Sequence, residues 1–173
     1  LVWINNLAAL LQARGKMTEA EALFRESMDK HRRVLGEEHP GTIRAIGALA
    51  SHYRRVGLYE QADPLLREAF EKSTRVLGPE HPQTLDTSTT MGVFLMERGQ
   101  LAEAEPHLKR TYEVTRRSLG PEHPDTLSAA GVLAKLKNAQ GRYTEAEAIY
   151  RESLEVSRRT LGDENPNTLV TIN

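Results

Sequence analysis

The chain has no cysteine, which excludes disulfides and thiolate metal sites and suits a reducing, cytoplasmic setting. Aromatic residues make up only 5% of its 173 positions, so a core must be built from Leu, Ala and Met. Neither sign of charge is in excess, with 23 Lys and Arg against 24 Asp and Glu. That balance argues against nucleic acid as a partner, because such binding needs a basic face to displace counterions from phosphates. No apolar run approaches the roughly 20 residues that cross a bilayer, so no membrane partner is expected. No strand pattern with a Gly-rich phosphate loop occurs, and Ser, His and Asp form no convergent motif. The expectation is therefore no enzyme, no catalytic residue and no cofactor.

What is present is repetition. Leu35-Gly-Glu-Glu-His-Pro-Gly-Thr42 returns as Leu77-Gly-Pro-Glu-His-Pro-Gln-Thr84, Leu119-Gly-Pro-Glu-His-Pro-Asp-Thr126 and Leu161-Gly-Asp-Glu-Asn-Pro-Asn-Thr168, each 42 residues after the last. An unbroken period of this size marks a repeat array whose units bury their apolar faces only against neighbours. The expected fold is all-α, an α-α superhelix or solenoid of four helix-turn-helix repeats. They fall at 1–39, 40–81, 82–123 and 124–165, with a stub of a fifth at 166–173. The chain opens inside a repeat and without Met, so it reads as part of a longer protein.

Columns at this period define the helices. Leu7, Leu49, Met91 and Leu133 are followed by Ala8, Ala50, Gly92 and Ala134, small residues that let two helices approach. Positions 43, 46, 49, 50 and 53 are apolar or aromatic at helical spacing, as are 59, 62, 65, 66, 69 and 70. First helices are predicted near 1–14, 40–56, 82–98 and 124–140, and second helices near 18–35, 60–77, 102–119 and 144–161. Gly15, Gly57, Gly99 and Gly141 turn the chain between them. Thr18 with Glu21 and Thr144 with Glu147 fit a capping box. Gly36, Gly78, Gly120 and Gly162 suit a left-handed C-terminal cap. Pro64 and Pro106 fall early enough in the second helix to cost little hydrogen bonding. Pro40, Pro82, Pro124 and Pro166 suit the first position of the next helix.

The small-residue column, the Gly turn, Tyr59, Leu101 and Tyr143, and the Ala that follows each resemble the tetratricopeptide repeat (TPR). With Asn5-Asn6-Leu7-Ala8, Gly15-Lys16, Glu19-Ala20-Glu21 and the Leu-Gly-x-Glu-His-Pro-x-Thr loop, the 42-residue unit is similar to that of kinesin light chains. The resemblance implies a noncatalytic protein-protein interaction scaffold whose first helices line a concave groove for extended peptides. It implies groove positions Val2, Asn5, Asn6, Ala9 and Gln12, then Arg44, Gly47, Ala48, Ser51 and Arg54. Asp86, Thr89, Thr90, Val93 and Met96 follow, then Ser128, Gly131, Val132, Lys135 and Asn138. The family's Asn-Asn pair survives only in the first repeat; the small residues that replace it leave room for a bulky side chain. The same repeat also occurs beside nucleotide-binding signalling domains, so the alternative is a regulatory sensor segment making intramolecular contacts.

His39, His81 and His123 share a column with Asn165. Asn caps a helix well and ligates metal poorly, so capping is expected and no metal site. Arg33, Arg75, Arg117 and Arg159 are expected to serve the helix dipole and the Glu of the following loop. Arg44, Arg54 and Lys135, against the single carboxylate Asp86, make the groove positions mildly basic and an acidic peptide partner plausible. End-to-end self-association is expected through Leu169, Val170 and Ile172 and the face around Ile4, Leu7 and Leu11, because array ends otherwise need polar caps.

Overall fold

The structure, a computed structural model, describes residues 2–161. They form eight α-helices: α1 (Val2–Ala13), α2 (Met17–Leu35), α3 (Pro40–Arg55), α4 (Tyr59–Leu77), α5 (Pro82–Glu97), α6 (Leu101–Leu119), α7 (Pro124–Ala139) and α8 (Tyr143–Leu161). Every boundary lies within one residue of its predicted place. The expectations for Gly162, Asn165, Pro166, the stub and Leu169, Val170 and Ile172 lie outside the described residues. Packing divides the chain into two compact units, 1–90 and 91–173.

In the first unit α1 packs on α2, α2 on α3 and α3 on α4. Ile43, Ile46, Leu49 and Ala50 of α3 are fully enclosed with Phe24 and Leu66; burying a side chain of the Ile or Leu size contributes about 1.5–3 kcal/mol. In the second unit α6 packs on α7 and α7 on α8. Here the small-residue column is at its most demanding. A Cβ on Gly92 would stand 2.5 Å from Leu108, so this copy carries Gly where the others carry Ala.

The loops explain the repeated phrase. His39, His81 and His123 each accept, through Nδ1, the backbone N–H two residues on, at 3.0, 3.1 and 3.2 Å. Pro40 and Pro124 follow as first helical residues, after His39 and His123. The Thr42 hydroxyl donates to the Gly36 carbonyl at 2.7 Å, tying the end of α2 to the start of α3. Between paired helices, Lys16 N–H reaches Leu11 C=O and Gly15 N–H reaches Gln12 C=O, at 2.9 and 3.0 Å. With Gly15 at φ 76°, that is a Schellman cap. The same two bonds recur at Gly57, Gly99 and Gly141.

Four local expectations need correction. The left-handed helix cap belongs to the Gly15 column; Gly36, Gly78 and Gly120 combine φ of 87–89° with ψ of 160–166°, an extended conformation open essentially to Gly alone. The Thr18–Glu21 capping box is not formed. The helix starts at Met17 after Lys16, with no side-chain cap, and Lys16 instead pairs with Glu19 at 2.8 Å. Thr144 likewise falls inside α8, where Arg142 pairs with Glu145. Pro64 is the sixth residue of α4, far enough in to forgo one helical hydrogen bond. Arg75 and Arg159 reach the Glu of the preceding loop, Glu38 at 2.6 Å and Glu122 at 2.5 Å, because α4 lies beside α2 and α8 beside α6.

Candidate functional site

Within the first unit, α3, α4 and the start of α5 border a half-open cavity of about 450 Å³. The small side chains of α3 create it. Gly47 and Ala48 leave one wall recessed, and a Cβ on Gly47 would meet nothing within 4 Å. Leu66 and Ala69 of α4 are also part of the lining. Arg44 and Ser51 of α3 and Asp86 and Thr90 of α5 add polar groups. The apolar packing surface and few polar groups are the usual makeup of a binding cavity.

Arg44 and Asp86 set its electrostatics. Partial desolvation by the surrounding protein raises the Asp86 carboxyl above its ordinary value, and the Arg44 charge offsets only part of that rise. Opposite charges thus border the same cavity, and both side chains are exposed to solvent. The Thr90 hydroxyl donates to the Asp86 carbonyl of its own helix at 3.0 Å, and that of Thr89 to Leu85 at 2.9 Å.

Of the residues named from sequence, Arg44, Ser51 and Asp86 come together here. Asn5, Asn6, Gln12, Arg54 and Thr89 do not line the cavity. Asn6 is exposed on α1 and Asn5 half-buried. Gln12 accepts at Oε1 from Nδ1 of His52 at 3.0 Å, which links α1 to α3. In the second unit Met96 is half-buried on α5, and Lys135 and Asn138 are exposed on α7. Sequence reasoning missed that second-helix residues Leu66 and Ala69, read as core, also line a cavity, and that the capping residue His81 borders it. It missed Lys137 as well. The Lys137 side chain is 7% exposed and paired with Glu105 at 2.5 Å. Lys137, with Gln140 and Arg142, holds the Glu105 carboxyl down at about 2. The column signal was present, since Lys137 follows Tyr53 and Leu95 at one period.

Among the described residues no group of three or more His, Asp or Glu side chains is placed to hold a metal ion, and no helix is long and apolar enough to cross a membrane. Paired helices, Schellman turns at each described repeat and small-residue contacts define an all-α helical-repeat protein. Two tetratricopeptide repeat family models match, one over residues 1–71 and 85–141 and the other over 126–167. The chain belongs to the tetratricopeptide repeat family. No curated protein matches. Among solved structures, the chain is similar to the nearly identical TPR-like repeats of a candidate kinesin light chain from Podosopora anserina. A Q17M form of it shares 27% identity with a TM-score of 0.89, over 99% of this chain and 81% of that one. BtubC (BKLC) from P. vanneervenii, at 19% identity and a TM-score of 0.79, covers 95% of this chain and 65% of that one, and shares the fold. The repeats are therefore of the kinesin-light-chain-like kind, a fold typical of protein-interaction scaffolds.

Proposed function

We propose that the chain is a noncatalytic scaffold that binds an extended peptide along the first helices of its first unit and seats one bulky peptide side chain in the cavity between α3 and the start of α5. The observation that carries this reading is the cavity itself, bordered by Arg44, Gly47, Ala48, Ser51, Asp86 and Thr90, six positions that the resemblance to the kinesin light chain repeat implies for the ligand side. Arg44 supplies a forked donor for a carboxylate next to the seated side chain. Asp86 opposes it, so the preference for acidic peptides is moderate and depends on both residues.

Screening a library of acidic and aromatic peptides by fluorescence polarisation tests this. A Cβ on Gly47 meets nothing within 4 Å, so Gly47→Leu projects into the cavity and is expected to weaken the best peptide at least tenfold while leaving the fold intact. Arg44→Glu should weaken acidic peptides by roughly tenfold, the scale of a lost charge-assisted contact. Asp86→Asn should tighten them. A library without binders, or binding indifferent to Gly47→Leu and Arg44→Glu, overturns the proposal.

A further inference from the structure

One guanidinium and one carboxylate border the cavity, Arg44 and Asp86. Arg44 is the fifth residue of α3 and Asp86 the fifth of α5, so they hold equivalent places on successive first helices. The Arg44 charge acts on the Asp86 carboxyl. Among the described residues, however, neither side chain takes part in an ion pair or a hydrogen bond.

Elsewhere in the first unit, charges of successive elements do meet. Around α2 and α4, Arg32 pairs with Glu68 at 2.8 Å, Lys72 with Glu37 at 2.6 Å and Arg75 with Glu38 at 2.6 Å. Exposed pairs of this kind add little stability, so leaving Arg44 and Asp86 apart costs the fold little and keeps both charges for a partner. Asp86 has the greater need of one. Its carboxylate has given up part of its hydration to the surrounding protein and receives no donor in return.

In an extended peptide, side chains alternate between two faces. A residue seated in the cavity therefore shares its face with the residues two before and two after it, about 7 Å to either side. A peptide that crosses from α3 to the start of α5 carries one of these neighbours toward Arg44 and the other toward Asp86. Complementary charges at such places set partner choice and register.

Resting on the peptide reading above, we infer that the ligand is a bipolar peptide. Its apolar residue enters the cavity, an acidic residue two positions to one side meets Arg44, and a basic residue two positions to the other meets Asp86. Together the two residues fix the direction in which the peptide crosses.

Fluorescence polarisation with two labelled peptides of identical composition tests this. One has Glu two residues before a Trp and Lys two residues after it; the other exchanges Glu and Lys. The wild type is expected to prefer one of the two by at least about tenfold, the scale of one interfacial charge pair. Arg44→Glu combined with Asp86→Lys should invert that preference with unchanged helical content. Asp86→Asn should weaken the preferred peptide while tightening wholly acidic ones. Equal affinity for both orders in the wild type, or a preference that survives the charge exchange, overturns the inference. If binding then still falls on Gly47→Leu, the seated side chain stands and only the bipolar ligand is lost. Failure of both peptides to bind overturns the inference as well, and a library without binders removes the peptide reading with it.

Discussion

His52 occupies a column that the other copies give to Leu10, Phe94 and Leu136. Its Nδ1–H donates to Gln12, while Nε2 is enclosed without a partner and the ring lies 5.4 Å from Phe24. Burial holds its pKa below 6.5, with Glu21 opposing that shift and Arg55 adding to it. The unfolded chain therefore binds the proton more readily, and stability should fall as pH drops below about 6.5. His52→Leu is expected to flatten the melting temperature between pH 7 and 5; an unchanged slope would refute the assignment. Gly92 makes a different demand, because Leu108 already fills the space of a Cβ. Gly92→Ala should destabilise by about 1–3 kcal/mol through overpacking in urea unfolding, against the gain of a few tenths to 1 kcal/mol that Gly→Ala usually brings to a helix. The need for a small residue at this column was legible in the sequence. That this copy needs Gly was not, because it depends on the rotamer of a residue sixteen positions away.

Each first helix ends in backbone bonds that the sequence announces through Gly, and α3, α5 and α7 open on a His cap that it announces through Pro. Those signals are local, which is why element boundaries were legible to within a residue. The capping box failed because Thr18 fits the motif in sequence while the Schellman turn at Gly15 already starts the helix at Met17. Contacts between elements were harder to read. Nothing local says that Lys137 of α7 is buried against Glu105 of α6, since the equivalent pair in the first unit is Tyr53 with Glu21, at 3.3 Å. Glu105 sits at about 2 in the folded chain and near 4.3 when unfolded. Its contribution is thus present above about pH 4.5 and lost as pH falls toward 2. Glu105→Gln should lower the melting temperature at pH 7, with the gap to wild type closing by pH 2. A gap of constant size would mean that the charge is not what matters.

At the scale of the whole chain, near-copies supply the framework and the departures from copying supply the candidate function. Arg44 and Asp86 stand one period apart in a column that does not repeat and border one cavity with Gly47, a grouping that periodicity points to. That Leu66 and Ala69 of α4 also line it depends on three helices meeting in space. The most direct measurement for the central claim is a titration of the best library peptide into wild-type chain and Gly47→Leu side by side. Filling the cavity should reduce affinity at least tenfold at equal stability. Equal affinity for the two would contradict a peptide side chain seated between α3 and α5.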